Sequence, residues 1–305
     1  MYRIVSWMRL RQLLVLGLAA AAIAAAAGAA LSAGLAAQPT AAAVTADGTV
    51  CVPILMYHGV LEDSSRQGRY VISPQLLESD LAVLRDRGYT TVLLRDLIDY
   101  VDGHAPLPER PIVLTFDDGY YNNYLYAYPL LRRYGMRAVI SPVVSWSEKF
   151  SLQDSDHAVW SHLTWDELRE MADSGTVELA SHTYDMHYCR AGMRKGTLRR
   201  TGEAKDAYAQ ALRTDLQKAQ RLLSEHTGVT PTAFAYPYGA MCADAAEVIR
   251  SMGFRATLSC ESRVCRITHD PECLTALGRY LRPAGVDSRT YFDRIDAAVA
   301  EACKK

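Results

Sequence analysis

The chain carries almost no net charge: 33 Lys and Arg stand against 34 Asp and Glu, a formal −1. It therefore lacks the basic footprint that a nucleic-acid surface needs, and no nucleic-acid partner is expected. A weakly bound neutral polymer fits that balance better than a polyanion. A C-x-x-C pair is also missing among the 7 cysteines, which argues against a cysteine zinc site. No internal repeat is visible, so a solenoid or propeller is not indicated. Phenylalanine is scarce, 5 against 18 tyrosines, so most aromatic surface also carries a hydroxyl.

What is present begins with an export signal. Arg3, Arg9 and Arg11 precede an apolar run from about Leu13 to Ala37. Residues 1–37 fit a signal peptide, although its h-region usually has only about 7–15 residues. They also fit a signal-anchor helix, since about 20 apolar residues span a bilayer. The length favours the uncleaved anchor, while Ala-Ala pairs near Ala36 and Ala42 would serve as cleavage sites. Positive charge on the leading side leaves the rest extracytoplasmic under either reading. Residues 38–50, rich in Ala and Thr, read as a flexible linker. In such a compartment disulfides persist. Cys260, Cys265 and Cys273 lie close enough in sequence to include one bridge, and an odd count leaves one thiol free.

From Cys51 onward short apolar runs alternate with amphipathic stretches. Candidate strands are Pro53–Tyr57, Thr91–Leu93, Pro111–Phe116, Arg137–Ser141, Val177–Ser181, Ala233–Tyr236, Ala256–Ser259 and Arg279–Leu281. Between them, Ser73-Pro74 caps a helix ended by Gly88, and Thr164 with Glu167 forms a capping box. A long helix runs from Glu203 to about Glu225, and another covers Ala245–Met252. Repeated strand–helix alternation predicts an α/β fold, a distorted (β/α) barrel of about seven to eight parallel strands. It is expected to occupy residues 51–290, with 291–305 as a C-terminal helical tail.

Four motifs sit at predicted strand ends, the active-site rim of such a barrel. Thr115-Phe116-Asp117-Asp118-Gly119 offers two carboxylates that strand alternation points apart, so one can bind a metal while the other stays free as a base. On its own it also reads as an Asp-Asp-Gly turn. His182 and His187, in Ser181-His182-Thr183-Tyr184-Asp185-Met186-His187, are too far apart for one helix face, at about 140°, and lie on opposite faces of a strand. They converge only on a loop that curls back. Asp118, His182 and His187 then make an Asp-His-His set suited to a borderline divalent ion. Met56-Tyr57-His58 supplies a candidate acid, since amide cleavage must protonate a poor leaving nitrogen. Tyr236-Pro237-Tyr238-Gly239 bends sharply, and the Tyr238 N–H is placed to meet a developing oxyanion. His104, His157, His162, His226 and His269 have no comparable context.

These segments resemble the polysaccharide deacetylases, carbohydrate esterase family 4, whose catalytic unit is the NodB homology domain. The likeness runs from about Cys51 to Arg282. It implies Asp117 as general base and Asp118, His182 and His187 as ligands of a divalent metal, usually Zn²⁺, with Co²⁺ or Ni²⁺ as alternatives. It also implies removal of N-acetyl groups from an N-acetylhexosamine polysaccharide. The chain departs from the family in three places. The two histidines are five apart rather than four. Ala235 stands where many members place an Arg that orients the base. Leu281-Arg282-Pro283 replaces the C-terminal Leu-x-His that supplies the acid. All three fit a branch resembling the poly-N-acetylglucosamine deacetylases, in which the M-Y-H histidine, here His58, takes the acid role. A carbohydrate-binding pseudoenzyme and an O-acetyl esterase remain alternatives. Tyr120 is expected to meet a sugar ring with its apolar face.

Overall fold

The computed structural model describes residues 45, 48–153, 156–190 and 192–304. The expected signal segment, 1–37, and most of the linker lie outside the described residues. Among those described, no helix is long and apolar enough to cross a membrane.

Twelve strands are described: β1 (Val50–Val52), β2 (Ile54–Tyr57), β3 (Gly59–Val60), β4 (Val71–Ile72), β5 (Thr90–Thr91), β6 (Pro111–Asp118), β7 (Ala138–Pro142), β8 (Val177–Leu179), β9 (Ala233–Ala235), β10 (Ala256–Leu258), β11 (Cys265–Ile267) and β12 (Tyr280–Leu281). The α-helices are α1 (Pro74–Asp86), α2 (Leu94–Val101), α3 (Tyr128–Tyr134), α4 (Val144–Ser151), α5 (Trp165–Asp173), α6 (Lys205–Thr227), α7 (Ala243–Ser251) and α8 (Ser288–Ala302). The main sheet runs β12-β2-β6-β7-β8, all parallel, with β5 added beside β6. β9 and β10 form a separate parallel pair. Only isolated bridges, Ser181 to Phe234 and Leu258 to Leu277, link that pair to its neighbours. The ring is therefore a distorted barrel that is not closed by a continuous ladder.

Alternation along β6 sorts the core. Ile112, Leu114 and Phe116 pack outward with helix residues such as Leu77, Leu81, Leu131 and Leu168. Val113 belongs instead to a second cluster with Ile54, Val139, Ala180, Ala233, Ala235, Ala256 and Leu258. Thr115 and Asp117 follow Val113 on that inner face by strand alternation. Small alanines on β9 and β10 leave room inside for larger polar groups. The predicted helix signals hold: the Ser73 hydroxyl accepts from the Leu76 N–H at 3.0 Å, and the Thr164–Glu167 box is formed.

The cysteine expectation is corrected. The disulfide joins Cys51 to Cys303, leaving Cys260, Cys265 and Cys273 free. Sequence proximity favours a local bridge, but the antiparallel pairing of β1 with β11 and the packing of α8 against β1 bring the two ends of the unit together instead. The expected boundary at residue 290 falls within α8. That helix buries Tyr291, Phe292 and Ile295 in the outer core.

Glu178, on β8, is buried with its carboxylate accepting from the Arg95 N–H at 3.2 Å. Burial outweighs the backbone donors and pushes its pKa up to about 7, from 4.5. The folded state therefore holds this proton longer than the unfolded chain does, and stability falls as pH rises from about 4.5 to about 7. Two to three pKa units correspond to about 3 kcal/mol. Glu178→Gln should remove that slope. Urea unfolding of both proteins at pH 4.5 and 7 checks it, and parallel pH profiles would refute it.

Candidate active site

β6 ends in the Asp-Asp-Gly turn with an abrupt change of backbone. Asp118 has φ 72° and Gly119 φ 69°. A Cβ on Gly119 would lie 2.8 Å from that of Pro142, so only glycine fits there. This left-handed pair breaks the alternation that would have pointed the two carboxylates apart. Asp117 and Asp118 both line one cavity of about 420 Å³, together with His58, Tyr120, His182, His187 and Tyr238.

Asp118, His182 and His187 converge. One Asp118 oxygen lies 3.6 Å from His182 Nε2 and 3.2 Å from His187 Nε2. Donor atoms from the three residues all lie within 4.8 Å of one another. Two ligands sharing a tetrahedral ion at about 2.1 Å are about 3.4 Å apart, so the set fits a small divalent cation. The His182 Nδ1 lies 2.7 Å from the Ala235 carbonyl. That contact makes Nδ1 the protonated nitrogen and leaves Nε2 free to ligate. Burial lowers the His182 pKa to about 4, so the ring is neutral at ordinary pH. Burial would raise Asp118, but the hydrogen bond and charge of His187, then the charge of His182, hold it well below the carboxylate range.

Asp117 is engaged differently. Arg279, fully buried, makes two 2.8 Å bonds to its two oxygens, and also donates to the Ser259 carbonyl and the Thr115 hydroxyl. Burial opposes ionisation of Asp117, yet the charges of Arg279 and His182 together with the Arg279 hydrogen bonds keep its pKa lowered. The sequence left Asp117 without an orienting partner because Ala235 occupies the usual position. Here the guanidinium arrives from the segment just before β12, two strands along the main sheet from β6.

His58 follows β2, and the pairing of Tyr57 with Phe116 puts it beside Asp117 on the rim. Its Nδ1 is buried without a hydrogen-bond partner among the described residues, and its ring rests against Tyr70 with centroids 4.9 Å apart. Two asparagines fix this segment: Asn123 donates to the His58 carbonyl at 2.7 Å, and Asn122 accepts from the Val60 N–H at 2.8 Å. Asn123 opens a single π-helical turn, Asn123–Ala127, a distortion often found at functional sites.

Tyr238 also has a positive φ, 59°, and its hydroxyl lies 3.2 Å from His187 Nδ1. Tyr120 lines the cavity, and its hydroxyl ionises only at raised pH through burial and then through the charge of Asp118. Tyr236 turns the other way, edge-on to Phe234 in the outer core. Pro237 is buried and packs against Gly196. These two shape the turn and do not face the cavity, contrary to their expected place at the substrate. Arg282 is likewise no substitute acid: it is fully buried, bonded through two nitrogens to Asp80.

Residues 104–257 match the family model for polysaccharide deacetylases. The chain belongs to that family. It is 30% identical over 227 residues to the poly-β-1,6-N-acetyl-D-glucosamine N-deacetylase of Escherichia coli K12, covering 68% of this chain and 34% of that protein. The namesake from Staphylococcus aureus MRSA252 is 26% identical over 194 residues, 64% of this chain and 62% of its own length. The chain thus spans about a third of the E. coli relative. A solved de-N-acetylase from Aggregatibacter actinomycetemcomitans superposes with TM-score 0.68 at 30% identity, covering 81% of this chain and 99% of that one. IcaB from Ammonifex degensii gives 0.66 at 26%, covering 82% and 97%. The deacetylase barrel of this family is the fold described above.

Within the family match lie both carboxylates, the clustered His182 and His187, and Tyr238. His58 and Arg279 fall outside it. Motif reading also missed His162, whose Nδ1 sits 3.1 Å from the Asp118 carbonyl while its ring stacks on Trp146 and lies tilted against Tyr120. An Asp-Asp-Gly turn bent into positive φ needs such a wall behind it, but nothing adjacent to His162 in the sequence announces that role.

Proposed function

We propose that this chain hydrolyses the N-acetyl groups of an N-acetylhexosamine polysaccharide, of the poly-N-acetylglucosamine type on which its named relatives act. The observation that carries this reading is the meeting, in one cavity, of an Asp-His-His set with a second carboxylate locked by an arginine. A divalent ion bound by Asp118, His182 and His187, Zn²⁺ by the donor set with Co²⁺ or Ni²⁺ as alternatives, would supply Lewis-acid polarisation of the acetyl carbonyl. Asp117 accepts the proton of the attacking water. His58, on the same rim, returns a proton to the departing nitrogen. Carbon–nitrogen cleavage then releases acetate and a free amine. The Tyr238 N–H faces the developing oxyanion, and the Tyr238 hydroxyl steadies His187. Tyr120 offers a ring face to the sugar. Arg279 removes the main motive for a non-catalytic reading, because the base has its orienting partner.

The Cys51–Cys303 disulfide supports an extracytoplasmic location, since such bonds persist in oxidising compartments. Residues 1–37 would then serve as a signal peptide or a membrane anchor.

Acetate and amine should be released together from N-acetylglucosamine polymers, and a chelator should stop both. Acetate without amine would select an O-acetyl esterase, and neither product a binding protein. His58→Ala should keep fold and metal while losing amide hydrolysis by about 10²–10⁴. Activated aryl acetates should be spared, because a phenolate leaves without protonation. Equal loss on both substrates would reduce His58 to a structural role.

A further inference from the structure

The two histidines of the metal site are held by different means. His182 stands at a strand end, pinned by the Ala235 carbonyl. His187 lies five residues along an irregular loop, where its ring meets the His182 ring at 4.9 Å between centroids on one side and the exposed Tyr238 on another. Where its Nε2 falls therefore depends on the backbone of residues 183–186.

That backbone is gripped from two sides. On one, the first N–H groups of α4 donate outward: Val144 to the Thr183 carbonyl at 3.1 Å and Ser145 to the Tyr184 carbonyl at 2.8 Å. On the other, Asp215 of α6 accepts from two consecutive N–H groups, Tyr184 and Asp185, one on each carboxylate oxygen and both at 2.8 Å. Inside the loop the Thr183 hydroxyl accepts from the Met186 N–H at 3.1 Å, and Thr183 itself is at φ 73°. A non-glycine residue in the left-handed region costs about 1–3 kcal/mol and persists only where its surroundings over-determine it. Asp215 is suited to do so. It sits between Leu212 and Leu216, both fully buried, on the longest helix of the described residues. Lys218, one turn on, lies 3.6 Å from the centre of the Tyr184 ring, whose hydroxyl donates to Glu148 at 2.6 Å.

We infer that Asp215 is a positioning residue for the metal centre: its carboxylate clamps two adjacent amides and so sets His187 at the bond distance its ligand role requires. This rests on the Asp118–His182–His187 reading of the metal site. An Asn at 215 keeps the shape but turns one acceptor into a donor facing an N–H. Loss of a group that orients a ligand commonly weakens metal binding by about 10–100-fold.

The test is Zn²⁺ affinity of the full chain, measured by competition with a chromophoric chelator. Asp215→Asn should bind Zn²⁺ about 10–100-fold more weakly, with turnover recovering when zinc is in excess, and Asp215→Glu should fall between it and the wild type. Wild-type zinc affinity in Asp215→Asn would overturn the inference, even with a lowered melting temperature, since a purely structural role predicts that combination. Hydrogen exchange on the unaltered protein covers the case in which the Asn variant does not fold. The Tyr184 and Asp185 amides should be slow without zinc, and fast exchange there would also overturn the inference. His182→Ala with undiminished zinc affinity would instead defeat the ligand reading on which this one stands.

Discussion

His182→Ala should yield a folded protein that has lost both stoichiometric metal and turnover. The ring is almost wholly buried, and its two nitrogens have separate tasks: Nδ1 anchors to Ala235 and Nε2 faces Asp118. Removing it leaves Asp118 and His187, two donors, where a stable catalytic site usually has three protein ligands. The barrel should survive, because its inner core rests on Ile54, Val113, Val139 and the β9–β10 alanines rather than on the imidazole. His187→Ala should do the same with a smaller effect on stability, since that ring is more exposed. Metal analysis of the purified variants alongside acetate release decides the matter. Full metal content in both would dismiss the ligand assignment.

The sequence showed the barrel because each parallel strand is a short apolar run closed by a turn signal. All eight candidate strands are present within two residues at each end. β1 and β11 escaped because three-residue pairings at a barrel's foot leave no pattern of their own. α8 was read as a tail because periodicity reveals an apolar face but not what covers it. The Asp118, His182 and His187 cluster was legible for a chemical reason: Asp and His gathered at strand ends have few other uses. Arg279 was seen only as the start of a strand. Nothing local shows that its side chain reaches past β2 to a carboxylate 162 positions away. Asp215 and His162 share that obscurity, since each acts on the backbone of a distant loop.

The second large effect concerns the Asp117–Arg279 pair. Asp117→Asn should keep the metal but lose about 10²–10⁴ in turnover, because an amide cannot accept the proton of the attacking water. Arg279→Gln is the more discriminating change. It leaves a buried carboxylate without its counter-charge, which typically destabilises by about 3–5 kcal/mol. It also removes the positive charge that does most to offset burial, so the Asp117 pKa must rise from its lowered value. A base with a higher pKa is protonated over more of the acid range, and the acid limb of kcat/KM should move to higher pH. A bare loss of orientation would instead lower the whole profile without moving it. Arg279→Lys keeps the charge but not the two-pronged geometry, so its limb should stay near the wild-type position while its rate falls. If Arg279→Gln remains folded and its acid limb does not shift, Asp117 is not the group whose ionisation limits the reaction, and the base must be sought elsewhere in the cavity.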